Sequence, residues 1–147
     1  MAAKTIVLKG HGVRREAVAN AAITPGHLVE LMSTGKVKVH ATSDGWGAKM
    51  FAVEDDLQGN SIDDAYSTGA MVQYNVMSPG DEVFAILKNG ENAAIGDKLI
   101  SAGDGTLKEA SSEIDFDSII GIALEAVDMS GSSAVDPASA RIKIMIV

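Results

Sequence analysis

The feature that most constrains this chain is its punctuation. From residue 25 onward, apolar runs are cut at strand length by turn-forming pairs: Gly80-Asp81 behind Pro79, Asn89-Gly90, Gly96-Asp97 and Gly103-Asp104. Such breaks recur every 8–12 residues or so, and no helical period of useful length survives between them. Glycine supplies the positive φ of a tight turn, and aspartate caps it through its own backbone. The pattern is that of an all-β chain folded as a sandwich or barrel.

The individual runs fit that class. "TIVLKG" (5–10) is a short β-like run. "GKVKVHA" alternates, with Val37, Val39 and Ala41 on one side and Lys36, Lys38 and His40 on the other, as in a half-buried strand. "AKMFAVE" and "AMVQYNVM" read as further strands, and "DKLIS" and "TLKEA" flank "AGDG" as a tight hairpin. "DEVFAIL" runs into Asn89-Gly90, which predicts a type I′ hairpin turn. "SIIGIALEAVD" is nearly continuous, and Gly121 inside it predicts a bulge or a close backbone approach. The chain ends on "ARIKIMIV", where Ile142, Ile144 and Ile146 alternate with Lys143 and Met145. Only "VRREAVANAA" (13–22) suits a helix, of about two and a half turns before Pro25 stops it. The expectation is about eight or nine short strands and at most one short helix. Residues 129–139 read as a mobile loop between two strands.

Composition removes several classes of function. At 147 residues with 46% hydrophobic side chains, the chain suits one domain with a real core. No apolar run approaches the roughly 20 residues that span a bilayer, and "MAAKTIVLKG" does not read as a signal peptide. There is no cysteine, hence no disulfide and no thiolate metal site, which fits maturation in a reducing cytoplasm. The net charge of −8 argues against free nucleic acid as a direct partner. That charge is unevenly spread. Residues 1–40 carry six basic and two acidic residues, while residues 41–147 carry six basic and eighteen acidic ones. A basic N-terminal segment that meets an acidic neighbour is one reading, and a solvated acidic surface is the other.

Several stretches imitate chemical motifs. "KGHGVRREAV" has the outline of a dinucleotide fingerprint, but Arg15 stands where the third glycine belongs and no β-α-β alternation follows. The Gly-Asp loops lack the lysine and following helix of a phosphate loop. "EDDLQGNSIDD" (54–64) offers Asp55, Asp56, Asn60, Asp63 and Asp64 to a cation, yet not at the alternate positions of a calcium loop, so it reads as an exposed acidic loop. Glu113, Asp115 and Asp117 read as the wet face of a strand. His11, His27 and His40 have no ligand spacing and read as surface residues. No nucleophile elbow is present. Aromatic residues make up only 4%, too few for a stacking platform, and Trp46 in "DGWGAK" reads as a loop anchor or subunit contact. Neither catalytic residues, nor a metal site, nor a cofactor is expected.

The blocks "KTIVLKG", "EAVANAAITPGHLVEL", "GKVKVH", "FAVEDDLQGNSIDDAY", "SPGDEVFAILKNGENAAIGDKLISAGDGTL" and "IIGIALEAVD" together resemble the head decoration, or capsid cement, proteins of tailed bacteriophages and prophages. The resemblance runs from about residue 4 to 127. It implies a non-enzymatic β-rich virion protein, made in the host bacterial cytoplasm. Such a protein sits on the outside of an expanded head, usually as a trimer, and bridges major capsid protein subunits. Combined with the charge pattern, it yields an expected organisation of an extended N-terminal arm (1–24) and a single β-rich domain (25–147). Lys4, Ile6, Leu8, Lys9, Arg14 and Arg15 are the candidate residues for capsid or subunit contact. The competing function is a virion-displayed carbohydrate or adhesion module, for which Trp46, Tyr66 and Tyr74 are the available aromatics.

Overall fold

A computed structural model describes residues 4–112, 116–130 and 140–147. Thirteen short strands form among them: β1 (Val7–Lys9), β2 (Val13–Val18), β3 (Val29–Leu31), β4 (Val37–Val39), β5 (Met50–Ala52), β6 (Met71–Val76), β7 (Glu82–Ile86), β8 (Asn92–Ala93), β9 (Lys98–Ser101), β10 (Leu107–Glu109), β11 (Ile119–Ala123), β12 (Val127–Asp128) and β13 (Arg141–Ile146). The described helices are two three-residue 3-10 turns, Asp56–Gln58 and Phe116–Ser118. None is long and apolar enough to cross a membrane.

The main sheet has six antiparallel strands in the order β1-β7-β13-β11-β9-β10. A three-stranded sheet, β2-β6-β5, and two ribbons, β3-β4 and β12-β8, complete the body. Two cores result. One lies against the main sheet and includes Ile6, Val83, Leu99, Ile120, Ile142, Ile144 and Ile146. The other lies between the three-stranded sheet and the β3-β4 ribbon, around Val29, Val37, Val72 and Tyr74. β5 serves both: Phe51 enters the first core, while Met50 and Ala52 enter the second. Leu28 and Val29 divide in the same way. Successive side chains leave a strand on opposite faces, so a wall between two cores must be apolar at every position, as "MFAV" is.

The Gly-Asp pairs are corners. At Ser78–Asp81 the Asp81 N–H donates to the Ser78 carbonyl at 3.0 Å, and the Asp81 carboxylate accepts the Ser78 N–H at 2.9 Å. Ala94–Asp97 repeats this at 3.1 and 2.8 Å. Ser61–Asp64 repeats it without a glycine before the aspartate, at 3.1 and 2.7 Å. The "AGDG" hairpin joins β9 to β10 as expected, with Thr106 bonded to the Asp104 carboxylate.

Gly121 combines both predicted features. The β11–β9 register shifts between Ile119 and Gly121, and a Cβ on Gly121 would lie 2.8 Å from the Met145 carbonyl oxygen.

Several expectations need correction. "VRREAVANAA" is not a helix: residues 13–18 pair along their whole length with β6, from Val13 opposite Val76 to Val18 opposite Met71. Asn89-Gly90 turns the chain, with the Glu91 N–H bonded to the Lys88 carbonyl at 3.2 Å. Only Gly90 has positive φ, so the turn is not type I′, and β7 and β8 do not pair. His40 is not a surface residue, because β4 ends at Val39 and the alternation ends with it; its ring is 2% exposed. Residues 6–23 do not stand off the body as an arm. β1 pairs with β7, β2 pairs with β6, and Ile6, Ala19 and Ile23 are buried. Asp117 lies in the Phe116–Ser118 3-10 turn ahead of β11 and not on the wet face of a strand; Glu113 and Asp115, and residues 131–139 of the expected loop, lie outside the described residues.

Candidate interaction surface

Six N-terminal residues were singled out by charge and β propensity, and the fold deals with them differently. Ile6 is fully buried: its N–H donates to the Glu54 carboxylate at 3.1 Å, and its carbonyl accepts the Phe84 N–H at 2.7 Å. Leu8 is half-buried in β1, and Lys4 precedes it exposed. Lys9 is exposed and forms a 3.5 Å ion pair with Glu82. Arg14 reaches across the three-stranded sheet to the Gln73 amide oxygen and the Asp56 carboxylate, each at 3.2 Å. Gln73 in turn donates to Glu16 at 3.0 Å. Lys4 and Arg15 make no side-chain hydrogen bond or ion pair with another described residue. β1 is one edge of the main sheet, and β2 is one edge of the three-stranded sheet. The exposed cations of the segment therefore lie on or beside sheet edges, where a partner can add a strand.

The acidic stretch is tied inward. Asp56 holds Arg14, Asp63 holds Arg141 at 3.1 Å, and Asp64 caps its own turn. Arg141, whose side chain is 9% exposed, also donates to the Pro25 and Ile62 carbonyls. Among the described residues no cluster of three His, Asp or Glu is arranged to hold a metal.

A second feature went unread in the sequence. A pocket of about 310 Å³ opens between the β3-β4 ribbon and the loop 41–49, lined by Glu30, Leu31, His40, Trp46 and Met50 among others. His40, itself buried, is one of the lining residues. The imidazole Nδ1 lies 2.6 Å from the Ser101 hydroxyl and Nε2 lies 3.0 Å from the Trp46 carbonyl. A neutral ring satisfies both contacts when Nε2–H donates to the carbonyl and Nδ1 accepts from serine. Glu30 stands 3.7 Å from Nε2 and pairs with Lys38 at 3.2 Å. Trp46 is 67% exposed, whereas Tyr66 and Tyr74 are buried, so of the three aromatics considered for a binding groove only Trp46 is available.

Other groups show how burial and hydrogen bonding act nearby. Burial holds the His27 imidazole below its ordinary value; Asp104 opposes that shift and Arg141 adds to it. Burial pushes the Tyr66 phenol up to about 12, while its hydroxyl donates to the Val53 carbonyl at 2.6 Å.

No family model and no curated protein matches the chain. Among solved structures it is similar to the N base of the head fiber gp8.5 of bacteriophage phi29, with a TM-score of 0.58 and 16% identity. The match covers 93% of this chain and 95% of that one. At this identity the likeness establishes a shared fold.

Proposed function

We propose that this protein is a non-catalytic structural component of a phage virion. In this reading it binds the outer surface of the expanded head and stabilises it by bridging neighbouring major capsid protein subunits, as a trimer. The observation that carries the reading is the end-to-end fold likeness to a head-fiber base, in which nearly all of each chain is matched. The sequence blocks that resemble capsid cement proteins support it independently. Anything that binds only the assembled shell stabilises that shell by mass action, and a stiff β-body suits the task.

Within this proposal the capsid-facing residues are the exposed ones of the N-terminal segment. Ile6 is committed to the core, so contact falls to the exposed cations at the sheet edges, above all Lys4 and Arg15. Lys9 and Arg14 are partly occupied by Glu82 and Asp56. The test is to add purified protein to expanded heads that lack it and to count bound copies. Saturable binding to expanded heads supports the reading, and no binding overturns it. Lys4→Glu with Arg15→Glu should weaken that binding in a salt-dependent way and leave thermal melting unchanged.

A further inference from the structure

Trp46 sits in the sequence as a loop anchor would, but its side chain is largely exposed. The loop is held by its backbone and by other side chains. The Asp44 N–H donates to the Ser101 carbonyl at 3.0 Å, and Lys108 grips Asp44 at 2.6 Å and Ser43 at 3.0 Å. Gly103 packs against the Ser43 backbone, where a Cβ would come within 2.9 Å. Gly47 lies flat on the His40 ring, where a Cβ would come within 2.8 Å of Nε2. Asp44, at φ 61, is the sole non-glycine among the described residues with positive φ. Aspartate tolerates that left-handed conformation, so it closes the corner without a glycine. This braced backbone presents a large, exposed aromatic side chain beside the pocket.

The chemistry of that pocket is specific. The indole and the half-exposed Leu31 offer an apolar wall. Glu30 lines the pocket and offers a partly exposed carboxylate acceptor, while Lys38 pairs with it at 3.2 Å from outside the lining. A carboxylate has about four lone-pair sites, so one ion pair leaves it able to accept from a ligand hydroxyl. At about 310 Å³ the pocket lies at the low end of ligand sites. An aromatic wall with a carboxylate at its edge suits a neutral ring with one C–H face and a rim of hydroxyls. The body's net charge of −8 disfavours an anionic ligand.

We infer that the Trp46 pocket binds a neutral carbohydrate, one hexose unit of a glycan, with the sugar face on the indole and a hydroxyl on Glu30. This site is separate from the N-terminal edges assigned to the head, so either reading can fail alone. Trp46 is the chain's one tryptophan, so its emission reports on this pocket and nothing else. The experiment titrates the protein with a panel of neutral hexose and N-acetylhexosamine oligosaccharides, following that emission, alongside a glycan array. The expected result is a saturable emission shift with at least one neutral glycan. Glu30→Gln should weaken it about tenfold, as loss of a charge-assisted hydrogen bond does. Trp46→Ala, a change at an exposed position that keeps the fold, should abolish array binding, and Phe116→Ala should not. Silence across the panel overturns the inference, as does array binding that survives Trp46→Ala. A response to tetramethylammonium in place of sugars also overturns it and identifies a cation-binding aromatic site instead.

Discussion

Gly121 lies between two neighbours, opposite Ile146 on one side and Leu99 on the other. A Cβ there would press on the Met145 carbonyl at 2.8 Å and on the Ile144 side chain at 3.1 Å. Gly121→Val should therefore cost about 1–3 kcal/mol through overpacking, read as a lowered thermal midpoint. A variant that melts with the wild type would show that the strand can shift to make room. This constraint was legible in the sequence, because a glycine that interrupts an apolar strand marks a bulge or a close backbone approach. His40 was not. Its burial depends on Ser101, sixty-one positions away, and on the Trp46 carbonyl, neither of which alternation can see. His27 carries a testable pH dependence. Its folded value is depressed below the ordinary value of 6.5, so below that pH the unfolded chain binds the proton more readily than the folded one. Its contribution to stability is complete above 6.5 and declines as pH falls toward the folded value. Denaturant melts at pH 7.5 and 5.5 should show a loss that His27→Gln reduces; equal loss in both proteins would assign it elsewhere.

Elements show where local preference yields to pairing. "VRREAVANAA" is rich in helix formers, yet it spans β6 over six residue pairs, and strand propensity depends on such context. By contrast "ARIKIMIV" and "GKVKV" were legible as strands, since their alternation is the signature of one buried face. The Gly-Asp corners were legible as turns capped by aspartate, although the carboxylate reaches back to the N–H three residues earlier. Asp81→Ala and Asp97→Ala should each cost about 0.5–1.5 kcal/mol, the worth of one hydrogen bond, with additive losses because the two turns lie apart. A strongly non-additive pair would mean that the turns act as one unit. The N-terminal segment was legible as β but not as integral, because nothing local reveals that Ile6 fills the main core. Ile6→Ala should cost about 2–5 kcal/mol, and deletion of residues 4–12 should abolish cooperative melting. A truncated chain that kept a cooperative transition and native circular dichroism would restore an independent arm. The Trp46 pocket had no legible signal beyond Gly-Trp-Gly, since its wall and rim come from the β3-β4 ribbon and a loop that meet only in the fold.

At the scale of the whole molecule, two cores share a wall of two-faced residues, and a −8 body carries exposed cations on its sheet edges. Such a body is stiff and presents edges that a neighbour can cover. Charge-assisted docking predicts head binding that weakens as salt shortens the Debye length from about 10 Å at 0.1 M to about 3 Å at 1 M. Copies on the shell are expected in threes. The most direct measurement is cryo-electron microscopy of expanded heads, purified without this protein and then saturated with it. The account predicts added density on the outer surface, each copy seated across a boundary between capsid subunits with its β1 and β2 edges toward the shell. Heads whose outer surface is unchanged at saturating protein, or copies that each rest within a single capsid subunit, would contradict it.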